Sequence, residues 1–470
     1  MSNIPLRYRR TPIVILMLVI AGCAAGPNFL APGAPSGERY TIDDAAARID
    51  GEQTLLPGAA IDACWWQAFG SPSLNAVVEM ALRGSPTIDS ARATMAQAVQ
   101  LLAAARGTAL PQLTLDASIV HGNTAANGAG GAGTALAITP ALTLDTDLFG
   151  ATSRRIEQAH ALLEYQRAQT QGARLTVAGN TVLLSIAIAS TRAQIAAVQD
   201  IIAVDRRNLD LVRIAVEGGK SARLAMLTAE SQLAADMALL PPLQQQAAVS
   251  SHALSILTGR HPGQWTPPGF ELEALRLPRD MPLVLPSALV RRRPDIVAAE
   301  AQLHAASATI GIAAAQLYPS LTLSADWRAA GASVGELFDR PVWSIAANLL
   351  APVFNGHTLA AQRDAAIDAY AAQLGSYRQT VLQAFGQVAD VLEALRHDAA
   401  LEQAQADALA LARKTLDLTQ QSYLVGEASL LDLLQAQRLY QQARLGNARA
   451  RGQRVADSAQ LFIVMGGADG

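Results

Sequence analysis

Aromatic side chains make up only 4% of this 470-residue chain, although hydrophobic residues reach 51%. A bulky globular core does not fit that composition. Ala and Leu supply most of the apolar surface, and small side chains suit helices packed closely side by side. Cysteine is as scarce: Cys23 and Cys64 are the only two, too few for a disulfide framework. Lysine is confined to Lys220 and Lys414 and no basic tract exists, so nucleic acid as a partner has no electrostatic footprint. The seven His are scattered without a pair at metal-ligand spacing, and the Met residues are equally dispersed. No metal centre and no cofactor is expected.

The first residues read as an address. Arg7, Arg9 and Arg10 precede the apolar run Ile13 to Ile20, and Ile20-Ala21-Gly22-Cys23 places small residues before a cysteine. The run is shorter than the about 20 residues that span a bilayer as a helix, so residues 1–22 form a secretory signal. The box resembles the bacterial lipoprotein signal, which implies a covalent lipid on Cys23 of the mature chain. Ala24 stands where, in lipoproteins, an Asp retains the product at the inner membrane, so outer-membrane lipid is the expected anchor. Losing three Arg and no acid moves the formal charge from −3 to −6.

Laid on itself at an offset of about 207 residues, the chain shows paired landmarks along its length. Ser85-Pro86-Thr87-Ile88 meets Arg293-Pro294-Asp295-Ile296, and Leu110-Pro111-Gln112-Leu113 meets Tyr318-Pro319-Ser320-Leu321. Leu148-Phe149-Gly150 meets Val353-Phe354-Asn355-Gly356, and Leu257-Thr258-Gly259 meets Val464-Met465-Gly466. Two copies of one unit are expected: residues 76–260 and 286–467, after an N-terminal segment 23–75 and separated by a connector 261–285.

Each unit reads helix, strand, turn, strand, long helix, tight turn, return helix. Leu and Ile recur at three- and four-residue spacing through Ile156–Val216 and Leu359–Tyr423, with no proline inside either stretch. At 1.5 Å per residue, roughly 60 residues make a helix about 90–100 Å long. Gly218-Gly219 and Gly426 mark the reversals.

The short segments between helices alternate instead. In Leu136–Leu148 the apolar Leu136, Ile138, Leu142, Leu144 and Leu148 alternate with Thr139, Thr143, Asp145 and Asp147. In Leu321–Ala329, Leu321, Leu323, Ala325 and Trp327 alternate with Thr322, Ser324, Asp326 and Arg328; Leu113–Ile119 and Trp343–Val353 follow less cleanly. Period two means strand, with one greasy and one wet face. A soluble half-buried sheet alternates in the same way, so the pattern alone leaves both readings open. If the strands span a bilayer they must close into a barrel, and four cannot, since the smallest such barrels have about eight. Two, three or four copies then have to share one.

Several local motifs carry the chain's likeness to known proteins. Trp65-Trp66-Gln67-Ala68-Phe69-Gly70-Ser71-Pro72-Ser73-Leu74-Asn75 resembles the opening of outer-membrane efflux factors of the TolC superfamily, the NodT-type lipoproteins. Arg292-Arg293-Pro294-Asp295-Ile296 with Ala299-Glu300, then Tyr318-Pro319-Ser320-Leu321-Thr322-Leu323 and Ala351-Pro352-Val353-Phe354-Asn355-Gly356, resemble their later signatures. The likeness covers residues 20 to 467. It implies a mainly α fold with transmembrane β: long antiparallel α-helical hairpins forming a periplasmic α-barrel, plus four strands per chain in a shared 12-stranded outer-membrane β-barrel. It implies a homotrimer working with a periplasmic adaptor (membrane fusion) protein and an inner-membrane RND-type transporter, exporting small molecules.

The resemblance also points to the turn Tyr423–Gln435. In the family this turn narrows the periplasmic tip with an inward leucine, an acid one helical turn later, and a tyrosine that helps hold the tip closed. Leu431 takes the leucine position and Tyr423 the tyrosine position. Gln435 replaces the acid, which puts an acidic ring at that level in doubt, although Asp432 lies one step around the helix from Leu431. An outer-membrane channel of a type I protein-secretion system is the alternative reading of the same architecture; the lipoprotein box and the Arg-Arg-Pro-Asp signature favour the efflux duct. No enzyme is expected. Gly331-Ala332-Ser333-Val334-Gly335 imitates a nucleophile elbow but sits between two strands. Gly219-Lys220-Ser221 imitates a phosphate loop but follows a helix and lacks its first glycine.

Overall fold

The computed structural model describes residues 24–33, 39–40, 53–123 and 132–467. Cys23 and residues 1–22, where a signal is expected, lie outside the described residues. Within them the order is β1 (Thr54–Pro57), a single 3₁₀ turn (Trp65–Phe69), α1 (Pro72–Gly84), α2 (Pro86–Gly107), β2 (Gln112–Asn123), β3 (Ala132–Thr146), α3 (Ala151–Glu217), α4 (Arg223–Met237) and α5 (Leu240–Leu257). A second 3₁₀ turn (Leu272–Ala274) and β4 (Asp280–Leu283) follow. Then come α6 (Pro286–Arg292), α7 (Pro294–Ala315), β5 (Ser320–Gly331), β6 (Val342–Leu350), α8 (Thr358–Leu424) and α9 (Leu430–Val464).

The helices α3 and α8 each run 67 residues, longer than the periodicity alone indicates. The strands begin and end within a few residues of their alternating segments. The reversal expected after Gly218-Gly219 differs in one respect: the return arm is two helices, α4 and α5. Pro241 and Pro242 stand in the first turn of α5, where a missing amide is tolerated, but there they end α4 by denying it a continuing ladder. The second return arm, α9, has no proline and is one helix of 35 residues.

The chain forms two compact units. One comprises the described residues up to Pro32, Thr94–Arg167 and Ala298–Arg378. It holds the antiparallel sheet β2-β3-β5-β6. It also ties down the segment that follows Cys23: the buried Arg154 donates to the Ala25 and Gly26 carbonyls, to Asn28 Oδ1 and, at 2.6 Å, to Glu157. Gly26, at φ +85°, approaches so closely that a Cβ there would lie 2.4 Å from Gly311 Cα, so no larger residue fits.

The other unit comprises Gly33–Ala93, Ala168–Val297 and the chain from Gln379 on. Its core gathers Trp65, Phe69 and Leu74 with Ile186, Leu254, Leu289, Leu395 and Phe462. Trp65 stacks on Phe462 with centroids 5.3 Å apart. β1 and β4 pair in parallel beside it. Arg293 of the mid-chain signature is buried. Its guanidinium donates to the Val464 carbonyl at 2.9 Å, to both Asp295 oxygens and to Gln387, fastening the start of α7 to the middle of α8 and the end of α9.

Candidate functional site

Two sites follow from the sequence: the faces of the four-stranded sheet, and the turn between α8 and α9.

Register decides the sheet. Leu113 faces Leu142, which faces Ala325, which faces Ile345; Leu321 faces Leu349 and Trp327 faces Trp343. Across all four strands one face is therefore mainly Leu, Ile, Ala, Trp and Pro140, with His121 and Thr134 paired towards one end and Thr146 beside Leu321 at the other. The other carries Thr114, Asp116, Ser118, Thr143, Asp145, Ser324, Asp326, Arg328, Ser344 and Asn348. Hydroxyls and carboxylates pair across that wet face: Thr322 Oγ1 donates to Asp145 at 2.8 Å and Ser344 Oγ to Asp326. Among the described residues, nothing covers the greasy face. Leu113 is 73% exposed, Trp343 70% and Ile345 78%.

Aromatic residues flank these strands at both ends. Trp327 and Trp343 pair near one end, with Phe338 stacked 6.3 Å from Trp327. At the other end Phe149 stacks on Tyr318 at 4.7 Å. An apolar band bounded by aromatic rings on both sides is the pattern of a lipid-facing barrel wall. Pro140 sits inside β3 and lacks an amide, and the β3–β5 register skips it.

At the turn, Gly426 takes φ +82°, which only glycine adopts without strain, and α8 reverses into α9. Ser429 is the N-cap of α9, and Asp432 completes a capping box with it. Asp432 is exposed, and its carboxylate is held below the usual range by hydrogen bonds from the Ser429 hydroxyl and amide. Tyr423 is half-buried in the last turn of α8. Leu431, 67% exposed, and Gln435, one helical turn on, share a wall of a cavity of about 580 Å³ with Leu434, Arg438, Val212 and Leu224. The structure thus brings Leu431 and Gln435 together and turns Asp432 back onto Ser429.

That cavity also exposes residues the sequence did not single out. Asp205 of α3 lies in its lining. Burial, then hydrogen bonding to Asp236 of α4, then repulsion from it, push Asp205 up to about 7. Gln232 donates to Asp236 at 2.7 Å. A matching pair joins α8 to α9, where burial and Asp457 push Asp398 up to about 7, and Gln453 donates to Asp457 at 2.7 Å. The signal was faint: one Gln four residues before one Asp in each return arm. The α3 and α9 helices are further joined by Arg444–Asp200, Arg449–Gln194 and Asn208–Gln437.

Residues 77–260 and 285–467 match the family described as outer membrane efflux protein. The chain belongs to that family. It is 30% identical to the pyoverdine export outer membrane protein OpmQ of Pseudomonas aeruginosa, over 97% of this chain and 96% of that one. It is 28% identical to nodulation protein T of Rhizobium leguminosarum bv. trifolii, over 98% and 97%. The outer membrane channel CmeC of Campylobacter jejuni has the same fold, with a TM-score of 0.87 at 20% identity over 94% of this chain and 95% of that one. As an outer membrane efflux protein of TolC-like fold, the chain resides in the outer membrane and serves export across it. The family consists of channel and transport proteins.

Proposed function

We propose that three copies close a 12-stranded barrel in the outer membrane, β6 of each copy pairing with β2 of the next, and that their helical hairpins form the periplasmic duct of a tripartite pump. The observation that carries this reading is the sheet. Its apolar face is bare and rimmed by aromatics, and its outer strands are β2 and β6. An open strand edge cannot stand in lipid. The two hairpins stem from one duplicated unit (76–260 and 286–467), between an N-terminal segment 23–75 and a connector 261–285. A lipid on Cys23 adds a second hold on the membrane. Leu431 narrows the tip, Tyr423 and Gln435 flank it, and an adaptor and an inner-membrane RND-type transporter drive the cargo. Catalysis has no part in this. Native mass spectrometry of the detergent-extracted protein tests it: three chains are expected, and a folded, stable monomer overturns it.

A further inference from the structure

Trp65-Trp66 and Arg292-Arg293-Pro294 stand far apart in sequence, yet Trp66 and Arg292 border one cleft of about 460 Å³. Trp65 and Trp66 both line the cleft, Trp65 also stacking on Phe462; of the two arginines Arg292 lines it, whereas Arg293 is buried in its own hydrogen bonds. Trp66 is 6% exposed, and its indole Nε1 is buried with no acceptor among the described residues. Such an orphaned donor is costly.

The charge around it is lopsided. Arg83, Arg174 and Arg292 line the cleft against one carboxylate, Glu79. Arg83 pairs with Glu79 at 3.2 Å, which leaves Arg174 and Arg292 without an acidic partner among the described residues. Leu82 and Leu175 supply an apolar wall and the half-buried thiol of Cys64 sits at the margin. Two forked cations and a buried, unpartnered N–H on residues lining one cleft with an apolar wall match an anionic head group with a short greasy tail.

We propose that this cleft binds a small organic anion, its carboxylate or phosphate taken by Arg174, Arg292 and the Trp66 indole N–H and its apolar part lying on Leu82 and Leu175. The site is independent of the gate and of barrel closure.

Calorimetric titration of the full-length, detergent-extracted protein at low salt tests it, with hexanoate, hexyl phosphate and inorganic phosphate as probes. Saturable binding of at least one hexyl probe is expected, tighter than inorganic phosphate because the tail adds buried area. Whichever head group binds better identifies the ligand's kind. Arg174→Gln with Arg292→Gln should weaken it by at least about tenfold, and Trp66→Phe, which keeps the ring but removes the donor, by about threefold or more. The bound probe should also slow iodoacetamide alkylation at Cys64 of the unsubstituted protein. Absence of saturable binding, undiminished affinity in the double variant, or binding without protection of Cys64 each overturns the proposal.

Discussion

Ser429 and Asp432 hold each other across the start of α9: the Ser429 amide and hydroxyl donate to the Asp432 carboxylate at 2.9 and 2.6 Å, and the Asp432 amide donates to the Ser429 hydroxyl at 3.2 Å. The acid nearest the proposed constriction is therefore also the brace of its helix. Its depressed ionisation means that the brace is complete above the ordinary carboxylate range and is lost as pH falls through the lower folded value.

Single-channel recording in planar bilayers separates charge from brace. Leu431→Ser should raise conductance by wetting the tip, and Asp432→Ala should lower cation preference. Gln435→Ala should change selectivity less than either. Ser429→Ala weakens the brace but keeps the charge, so cation preference should survive it. Unchanged recordings in both Leu431→Ser and Asp432→Ala place the constriction elsewhere.

The Asp205–Asp236 pair gives a pH dependence of definite sign. The folded chain keeps a proton on Asp205 that the unfolded chain has lost, so stability falls as pH rises from about 4 to about 7 and is level above. Asp205→Asn removes this pair's share of the slope and leaves the share of the Asp398–Asp457 pair. Its melting temperature should exceed the unsubstituted protein's at pH 8 and match it at pH 4. A slope not reduced at all by Asp205→Asn would show that the pair does not share a proton.

Arg293 should be intolerant of its nearest chemical relative. Lys reaches one acceptor as a point charge, whereas the guanidinium spans Asp295, Gln387 and the Val464 carbonyl at once. Arg293→Lys should lose about 2–4 kcal/mol of stability, read by chemical unfolding, with Arg293→Ala no better.

The two faces of β6 should respond oppositely to one substitution. Ile345→Arg places charge on the greasy face, at a cost of about 2–4 kcal/mol near the bilayer midplane, and should reduce outer-membrane insertion. Asn348→Arg, on the wet face, should insert normally. Equal insertion of both would contradict the assignment of the faces.

Mass spectrometry of the mature N-terminus should find lipid on Cys23, and Cys23→Ala should impair processing while leaving the channel's conductance intact. A free N-terminal amine on an unmodified Cys23 rules the anchor out.

The helices were legible because α3 and α8 are long, periodic and free of proline, so local pattern and final structure agree. The strand faces were legible because apolar and polar side chains alternate along the chain, and period two puts each kind on its own face. What escaped was set by distance along the chain. Nothing local says that Asp205 will meet Asp236, or that Trp66 and Arg292 will border one cleft. Pro140 argues locally against an interior strand, yet β3 accommodates it by leaving a gap in one ladder. Ser429-x-x-Asp432 has the spacing of a capping box, which ties the acid to its own helix start as well as lending the tip its charge.

On the proposed reading, β2 and β6 find partners only in other copies, so a lone chain has no finished form in which to enter the bilayer. Membrane entry and association become a single event whose rate climbs steeply with the supply of chains. A copy with a damaged edge then occupies a place between two sound ones and leaves the ring unsealed. Cells making sound and damaged copies together should lose far more channels than the damaged share alone, a dominant effect arising from two rows of unpaired backbone amides.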